Sequence, residues 1–430
     1  MLKISENANS NYLAKIVEIK ELRKHPNADS LQIVTIDFQN VITGMDAKVG
    51  DIYVYFPVES QINLDFLRET NSFSNELLNA DPNQKGFFGK NGRVKAVKLR
   101  GEYSMGYLVP SSIVANFIGD VQWAIDKEIG KEFDTIADTL MVKKYVIPTK
   151  EPNQHQKLGK KPRISRLVEG QVHLHCDTEN LRKEAYRINP EDKISISYKL
   201  HGTSGWCSFV KVKRKLNLVQ KIAKLFLPIK DTEYDLVYGS RKVVKNEYET
   251  QGVNDFYKGD LWGKVKEELK EFIPKSFTLY YEIVGYTEGG SYIQKDYDYG
   301  CEVGKRDVYI YRITTTNDDG VVTNLPTEAI IEFCEHFGLK HVHYFFIGKA
   351  KDLFRIATDE YWNKKFINLL EETFTEKDCY MCRNKLPEEG IVLRVEKIFS
   401  FEAYKLKSFK FLKMETDLLD EGVADIESEN

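Results

Sequence analysis

Apolar and polar residues alternate in short runs along most of the chain, which is the pattern of strands that bury one face. Between residues 11 and 110 these runs are YLAKIVEI, LQIVTIDF, NVITG and DIYVYFPV, and turn residues such as those from His25 to Asp29 separate them. Short strands at this spacing are typical of a small five-stranded barrel. The pattern therefore predicts a β-rich module in residues 1–148, with a helical extension over 113–147.

A second and larger domain is predicted over residues 167–414. Its strand-like runs include KISISYKL, SFTLYYEIVGY, DVYIYRITT, GIVLRVE and AYKLKSF. These runs alternate with helical stretches near 260–272, 326–338 and 358–374, so we expect an α+β domain with mostly antiparallel strands. A Lys-rich segment with two prolines, residues 149–166, is the predicted linker between the two domains.

Charge is distributed unevenly along the chain. The net charge is −3, but residues 415–430 contain seven acidic residues and neither Lys nor Arg, so the rest of the chain is mildly basic. An acidic tail of this kind is usually solvated and without structure. The basic remainder is compatible with a phosphate-binding groove.

Targeting signals and membrane-spanning stretches are not expected. The N-terminal residues lack the basic flank and apolar run of a secretory signal. No run approaches the roughly 20 apolar residues that a membrane helix requires. The six cysteines are scattered, which fits a reducing compartment, so we expect a cytoplasmic protein without a membrane partner.

The segment from Ile196 to Ser204 places a lysine, Lys199, at the end of a predicted strand, with a glycine turn three residues later. A lysine that lies beside other cations or is partly desolvated can lose its proton and attack phosphorus. Taken alone, the same pattern also describes a surface lysine before a hairpin turn. Its interpretation therefore depends on the rest of the chain.

Other charged residues follow in a definite order. Glu282 lies in the strand-like run LYYEIVG, and Glu389 lies in EEGIVLR. Lys405 and Lys407 come next and share one face of a strand, because residues two apart point the same way. Two ammonium groups on one face favour an anion between them, and a polyphosphate would serve.

Together these segments resemble the covalent nucleotidyltransferase superfamily of ligases and capping enzymes, and most closely its nick-sealing RNA ligase 2 branch. The resemblance covers most of residues 195–410. It implies an antiparallel-sheet nucleotidyltransferase domain of the ATP-grasp-like ligase kind, with Lys199 as the nucleophile that becomes adenylylated and Glu389 as the metal-proximal glutamate. It further assigns nucleotide contacts to His201, Gly202, Arg241, Glu282, Tyr311, Lys405 and Lys407. Additional contact candidates are Glu179, Asn180, Ser204 and Arg394.

The implied reaction is ATP-dependent RNA ligation with Mg²⁺ or Mn²⁺. AMP passes from Lys199 to an RNA 5′-phosphate, and a 3′-hydroxyl then displaces it. The run HPNADSL from His25 resembles the tRNA-binding OB domains, so the N-terminal module is expected to be OB-like and to bind RNA, with candidate contacts between Asn91 and Arg100. About 23 residues follow Lys407, too few for a C-terminal OB domain. This arrangement resembles an RNA ligase subgroup with the OB module in front.

Two other interpretations also fit parts of the sequence. One is a DNA ligase or capping enzyme, which the KxHG form of the lysine motif disfavours. The other is a non-catalytic tRNA- or RNA-binding protein built on the N-terminal module, which leaves the ordered charged residues unexplained. A basic amphipathic stretch from Lys211 to Lys224 is expected to be a surface hairpin or helix, with phosphate contact as an alternative role.

Overall fold

The structure is a computed structural model that describes residues 2–119, 121–146, 166–175, 178–228, 230–245 and 260–420. The predicted linker lies outside these ranges except for Arg166, and so do the last ten residues of the predicted acidic tail. We call residues 2–146 the N-terminal module and residues 166–420 the C-terminal module.

The N-terminal module consists of short strands and three short helices. The strands are β1 Leu2–Lys3, β2 Ala14–Glu18, β3 Leu22–Lys24, β4 Leu31–Ile36, β5 Gln39–Gly44, β6 Ile52–Phe56, β7 Ser60–Ile62, β8 Val97–Leu99, β9 Glu102–Ser104, β10 Tyr107–Pro110, β11 Glu132–Phe133, β12 Thr135–Ile136, β13 Thr139–Leu140 and β14 Val142–Lys144. The helices are α1 Leu64–Glu69, α2 Ser111–Ile118 and α3 Gln122–Ile125.

Strand β6 organises this module because both of its faces are buried. It lies in a four-stranded sheet of order β10-β6-β2-β11. Val54 and Phe56 pack with the residues of α1 and α2, whereas Tyr53 and Tyr55 pack with the apolar residues of β4 and β5. Alternate residues of β6 therefore pack into two hydrophobic cores, rather than into one core on one face and solvent on the other.

The helical expectation for 113–147 is only partly correct. Helices α2 and α3 occupy the first part, but the chain from Glu132 to Lys144 forms four short strands. Each of β11, β12 and β14 pairs with a strand more than 70 residues earlier in the chain, namely β2, β1 and β7. These long-range pairings override the local helical pattern.

The C-terminal module contains two five-stranded sheets. Its strands are β15 Glu179–Asn180, β16 Lys193–Lys199, β17 Thr203–Lys213, β18 Thr232–Ser240, β19 Phe277–Gly285, β20 Arg306–Thr316, β21 Val322–Asn324, β22 Tyr344–Lys349, β23 Gly390–Glu396 and β24 Phe401–Lys407. The first sheet has the order β15-β24-β23-β16-β22, and the second has the order β18-β17-β19-β20-β21. The pairings are antiparallel as predicted, except that β15 runs parallel to β24.

Helices cover one face of each sheet. The helices of this module are α4 Leu181–Glu184, α5 Leu218–Ala223, α6 Leu261–Leu269, α7 Thr327–Phe337, α8 Ala350–Phe354, α9 Trp362–Phe374 and α10 Phe409–Asp420. Helices α4 and α9 pack on β16, β23 and β24, and helices α6 and α7 pack on β17, β19 and β20. The opposite faces of the two sheets are therefore left to form a site.

Helix α10 corrects the expectation of a structureless tail from Glu415. Residues Glu415–Asp420 are helical, and they contact the N-terminal module. The Arg93 guanidinium donates to both oxygens of Glu59 at 2.9 and 2.7 Å and to the Thr416 carbonyl oxygen at 3.3 Å. Lys95 reaches Asp420 at 2.6 Å. Tertiary contacts hold this acidic segment in place.

No helix among the described residues combines the length and the apolar character needed to cross a membrane.

We expect Arg93→Met to lower the free energy of unfolding by about 3 kcal/mol, because it leaves the Glu59 carboxylate buried without its guanidinium partner. Arg93 is 3% exposed, and burial already raises the pKa of Glu59. Urea unfolding followed by circular dichroism measures the loss. The control is Lys95→Met, which breaks a more exposed pair and should cost about 0–1 kcal/mol. An equally small loss in the free energy of unfolding of both variants would contradict the role of the Arg93–Glu59 pair as a buried anchor.

Candidate active site

The sheet register brings two of the three predicted lysines, Lys199 and Lys407, close together. Lys199 of β16 pairs with Gly390 of β23, and Gly390 pairs with Lys407 of β24. Paired residues in antiparallel strands point to the same face, so both ammonium groups project from the face opposite α9. Gly390 has no side chain, which leaves the space between the two lysines open.

The Glu389 carboxylate occupies this space. Its Oε1 lies 2.9 Å from Lys199 Nζ and 3.3 Å from Lys407 Nζ. The Glu389 side chain is 2% exposed, whereas the two lysines are 15% and 21% exposed. Lys407 is also 3.1 Å from Glu415 of α10. A buried carboxylate thus bridges the two lysines, and a second carboxylate is in contact with one of them.

Lys405 occupies the adjacent row on the same face. It pairs with Val392, which in turn pairs with Ser197 of β16. Burial and the positive charges of Lys407, Lys199 and Arg241 lower the pKa of Lys405 to about 7, although Glu389 opposes the shift. The site therefore holds a lysine whose pKa is near neutral, because burial and the neighbouring cations together outweigh the Glu389 carboxylate.

The second sheet contributes the other wall. Ser204 of β17 pairs directly with Glu282 of β19, and the Ser204 hydroxyl donates to the Glu282 carboxylate at 2.7 Å. Tyr311 of β20 is hydrogen-bonded to the His175 ring at 3.0 Å. Arg241 directly follows β18 and lines the same cavity. These four predicted residues therefore share one wall.

A cavity of about 660 Å³ joins the two walls. Both modules line it, and the C-terminal module contributes nine of the residues predicted from the sequence. These are Lys199, Ser204, Arg241, Glu282, Tyr311, Glu389, Arg394, Lys405 and Lys407. The N-terminal side is formed by residues that include Asn11, Tyr12, Lys143, Lys144 and Tyr145.

His201 and Gly202 lie behind the cavity wall, where the chain crosses from β16 to β17. The His201 ring packs edge-on against Tyr297 and Phe411, with Nδ1 3.9 Å from the Glu389 carboxylate. A Cβ at Gly202 would lie 2.3 Å from the Ile283 carbonyl oxygen. Neither is among the described residues that line the cavity, and direct nucleotide contact by these two stays a prediction. Their packing fixes the strand end that carries Lys199.

The additional contact candidates separate into two groups. Arg394 lines the cavity and donates to the Leu325 carbonyl oxygen and the Glu396 carboxylate. Glu179 instead pairs with Arg187, and Asn180 caps α4 through the Arg182 amide. Neither Glu179 nor Asn180 is among the described lining residues, and nucleotide contact by these two stays a prediction. They hold β15 and α4 beside the Lys405 strand.

Sequence reasoning missed several residues of the site. Gly390 is set by its place in the register, and its signal was the glycine in EEGIVLR. Glu415 was assigned to the tail, and only the fold of α10 beside the end of β24 brings it to Lys407. Lys143 and Lys144 fell in the segment expected to be helical. Only the pairing of β14 with β7 brings them to the cavity.

Comparison with known proteins assigns the chain to a family. A family model described as RNA ligase matches residues 192–412, just over half of the chain. The chain therefore belongs to the RNA ligase family and is an RNA ligase enzyme. A second model, described as an OB-fold domain, matches residues 13–111. No curated protein matches the chain.

Solved structures of the Naegleria gruberi RNA ligase have the same fold. A mutant with AMP and Mn is 16% identical, with a TM-score of 0.57 and coverage of 94% of this chain and 99% of the other. A mutant with ATP and Mn is 16% identical, with a TM-score of 0.54 and coverage of 95% and 99%. These likenesses confirm the α+β architecture, with an OB module ahead of an antiparallel-sheet ligase domain.

Replacement of Gly390 should damage both the fold and the reaction. The residue has φ of +134°, and a Cβ there would lie 2.0 Å from the Leu406 carbonyl oxygen. We expect Gly390→Ala to lower the free energy of unfolding by about 2 kcal/mol or more and to abolish ligation, because β23 and β24 must separate. Gly289→Ala is the matched control, since its Cβ would meet its nearest neighbour only at 3.8 Å. Wild-type ligation by Gly390→Ala would contradict the register argument.

The charge of Lys405 should make stability depend on pH. Its pKa is about 7 in the folded chain against a model-peptide value of 10.5, so between these values the unfolded chain binds more protons and the free energy of unfolding rises with pH. We expect nucleotide-free Lys405→Met to be more stable than wild type by about 1–3 kcal/mol below pH 7. The difference should shrink from pH 7 toward 10. Thermal unfolding across this range tests it, and a difference that does not vary with pH would refute the assignment.

Proposed function

We propose that this RNA ligase seals 5′-phosphate and 3′-hydroxyl ends at nicks in duplex RNA, using ATP and a lysyl-AMP on Lys199. The observation that carries the proposal is the Glu389 carboxylate between Lys199 and Lys407, with Lys405 in the next row of the same wall. A polyphosphate entering the cavity would meet one nucleophilic amine and two further ammonium groups. This is the arrangement that transfer of an AMP group to an amine requires.

Lys199 performs the first step. Its amine must be uncharged to attack the α-phosphate, and a new nitrogen–phosphorus bond then forms as pyrophosphate leaves. The positive charges of Lys405, Lys407 and Arg241 favour the uncharged amine, whereas the Glu389 carboxylate favours the ammonium form. A cation bound to Glu389 would weaken the preference for the ammonium form of Lys199.

Glu389 is the residue that would hold the divalent metal. Within the described ranges, no three His, Cys, Asp or Glu side chains converge as a metal site, and Glu389 is the carboxylate that we assign to the metal. This fits Mg²⁺, which keeps several waters and takes one or two carboxylates together with substrate phosphates. The bound ion would supply positive charge to the phosphate oxygens.

Lys405 and Lys407 are assigned to the phosphates. Lys407 is already paired with Glu389 and Glu415, so the triphosphate competes with carboxylates for this ammonium group. Lys405 is held at a pKa of about 7, and a nearby phosphate would raise it. Lys405 thus gains its full charge when the substrate is present.

The second wall is assigned to the nucleoside. Tyr311 would offer an aromatic face to adenine, and Glu282, whose carboxylate accepts a hydrogen bond from the Ser204 hydroxyl, is assigned to the ribose hydroxyls. Arg241 is assigned to the nucleotide phosphates at the junction between the walls. Structures of the Naegleria gruberi ligase contain AMP and Mn, ATP and Mn, or PPi, which supports ATP and a divalent metal as the reactants here.

The remaining steps need RNA beside the same cavity. The 5′-phosphate of one strand attacks the phosphorus of the lysyl-AMP, and the nitrogen–phosphorus bond breaks to release the Lys199 amine. The 3′-hydroxyl of the other strand then attacks the adenylylated 5′-phosphate, and AMP leaves. The N-terminal module borders the cavity with Tyr12, Lys143 and Lys144, which supply an aromatic face and two cations for the RNA backbone. Duplex RNA would be recognised by its A-form shape and 2′-hydroxyls.

The first test is covalent labelling. Wild-type protein incubated with Mg²⁺ and ATP labelled in the α-phosphate should carry an acid-labile label through denaturing electrophoresis. Lys199→Ala should carry none. Lys193→Ala is the matched control, because Lys193 lies at the other end of β16 and pairs with Glu328. Labelling of Lys199→Ala at the wild-type level would overturn the mechanism.

The substrate proposal is tested separately. Nicked duplex RNA, the same strands without a complementary bridge, and nicked duplex DNA are offered in competition. We expect the nicked RNA to be sealed preferentially and adenylylated RNA to accumulate when the 3′-hydroxyl is replaced by hydrogen. Equal sealing of unbridged strands would refute nick recognition while leaving the lysyl-AMP intact.

A further inference from the structure

The hairpin between β17 and β18 carries a strongly basic segment that the ligation site does not use. Residues 211–230 contain seven Lys or Arg residues and no Asp or Glu. Lys213, Arg214 and Lys215 are exposed where β17 ends. None of the described residues of this segment lines the cavity.

The same segment contains six large apolar side chains that face solvent. Their exposed fractions are Leu218 75%, Val219 74%, Ile222 55%, Leu225 77%, Phe226 81% and Leu227 61%. Single exposed apolar residues are common, but a contiguous set marks an interaction surface. We call residues 213–228 the hairpin tip.

Local hydrogen bonds, rather than packing of these apolar side chains, shape the hairpin tip. Helix α5 begins with a capping box in which Asn217 and Gln220 bond reciprocally. At the base of the tip, Lys224 pairs with Asp231 at 2.6 Å, and the Arg214 amide donates to the Asp231 carbonyl oxygen at 2.7 Å. The tip is therefore ordered while its apolar side chains remain available to a partner.

The hairpin tip lies far from the ligation site. Ser204, at the start of β17, lines the cavity, and β17 continues to Lys213. Nine residues of extended strand span about 30 Å. A surface bound at the tip would therefore leave the cavity open to RNA.

We propose that the hairpin tip is a peripheral membrane-binding element that docks on an anionic lipid surface. The cations of the hairpin tip complement anionic lipid head groups. The Leu225-Phe226-Leu227 turn would contact the apolar boundary of the acyl chains beneath those head groups. An RNA backbone would satisfy the cations but leave six apolar side chains in water. A second copy of this chain would bring the basic tip against a tip of the same charge.

This proposal departs from the expectation that the chain has no membrane partner. That expectation rested on the lack of a spanning stretch, whereas an interfacial element needs only a few apolar side chains beside a basic face. The proposal does not depend on the ligation mechanism.

The test is co-sedimentation of the full chain with vesicles. One set contains phosphatidylcholine alone, and the other contains phosphatidylcholine mixed with phosphatidylserine. We expect binding to the mixed vesicles only, weakened by salt. A triple variant, Leu225→Ser with Phe226→Ser and Leu227→Ser, should lower the partition coefficient about tenfold or more.

A second triple variant removes charge, namely Lys213→Gln with Arg214→Gln and Lys215→Gln, and should also lower the partition coefficient about tenfold or more. Its matched control removes three lysines elsewhere on the surface, Lys351→Gln with Lys364→Gln and Lys365→Gln, and should bind like wild type. Ligation in vesicle-free solution should be unchanged in both hairpin variants, which shows that they fold.

Three outcomes would overturn the proposal. The first is a lack of wild-type binding to the phosphatidylserine vesicles. The second is a loss of RNA affinity in the charge variant with no change in vesicle binding, which would make the tip a nucleic-acid contact. The third combines two observations: light scattering shows a dimer of the wild type but not of the apolar variant, and both proteins bind vesicles equally. That result would make the tip a self-association surface.

Discussion

The contact between the Glu389 carboxylate and the amines of Lys199 and Lys407 is the interaction on which the site depends. It requires three strands in one register, because Lys199, Gly390 and Lys407 lie in a single row across β16, β23 and β24. It also requires a residue without a side chain in the middle of that row. In the free protein the carboxylate balances lysines that would otherwise repel one another. Opposite charges therefore hold the site together.

The position of the site follows from the way the chain crosses between two sheets. Directly after Lys199 the chain turns at His201 and Gly202 and enters β17 of the second sheet. Helices cover the outer faces of both sheets, so alternate residues of each strand are directed into the space between them. The N-terminal module and α10 close this space from the side, and the buried Arg93–Glu59 pair joins them. The candidate site and the packing of the two modules are thus connected through α10, the helix that carries Glu415.

Much of this could be predicted from the sequence. The strands around Lys199, Glu282, Glu389 and Lys407 have strong period-two patterns, and their order in the chain identified one face of the site. The errors arose where long-range contacts outweigh local pattern. Residues 132–144 form strands because distant partners pair with them. Residues 415–420 form a helix because the N-terminal module binds them, although their acidic composition alone favours a solvated tail.

The sequence by itself determined the residue types of the candidate site, their order, and the face that Lys405 and Lys407 share, because these depend on local spacing. Only the tertiary structure decided which of the predicted residues meet. His201 and Gly202 lie behind the wall, Glu179 and Asn180 support a neighbouring strand, and Lys143, Lys144 and Glu415 reach the cavity from segments with no local signature. The physical reason is that strand register and module packing set distances between residues far apart in the chain. A local pattern contains no information about such distances.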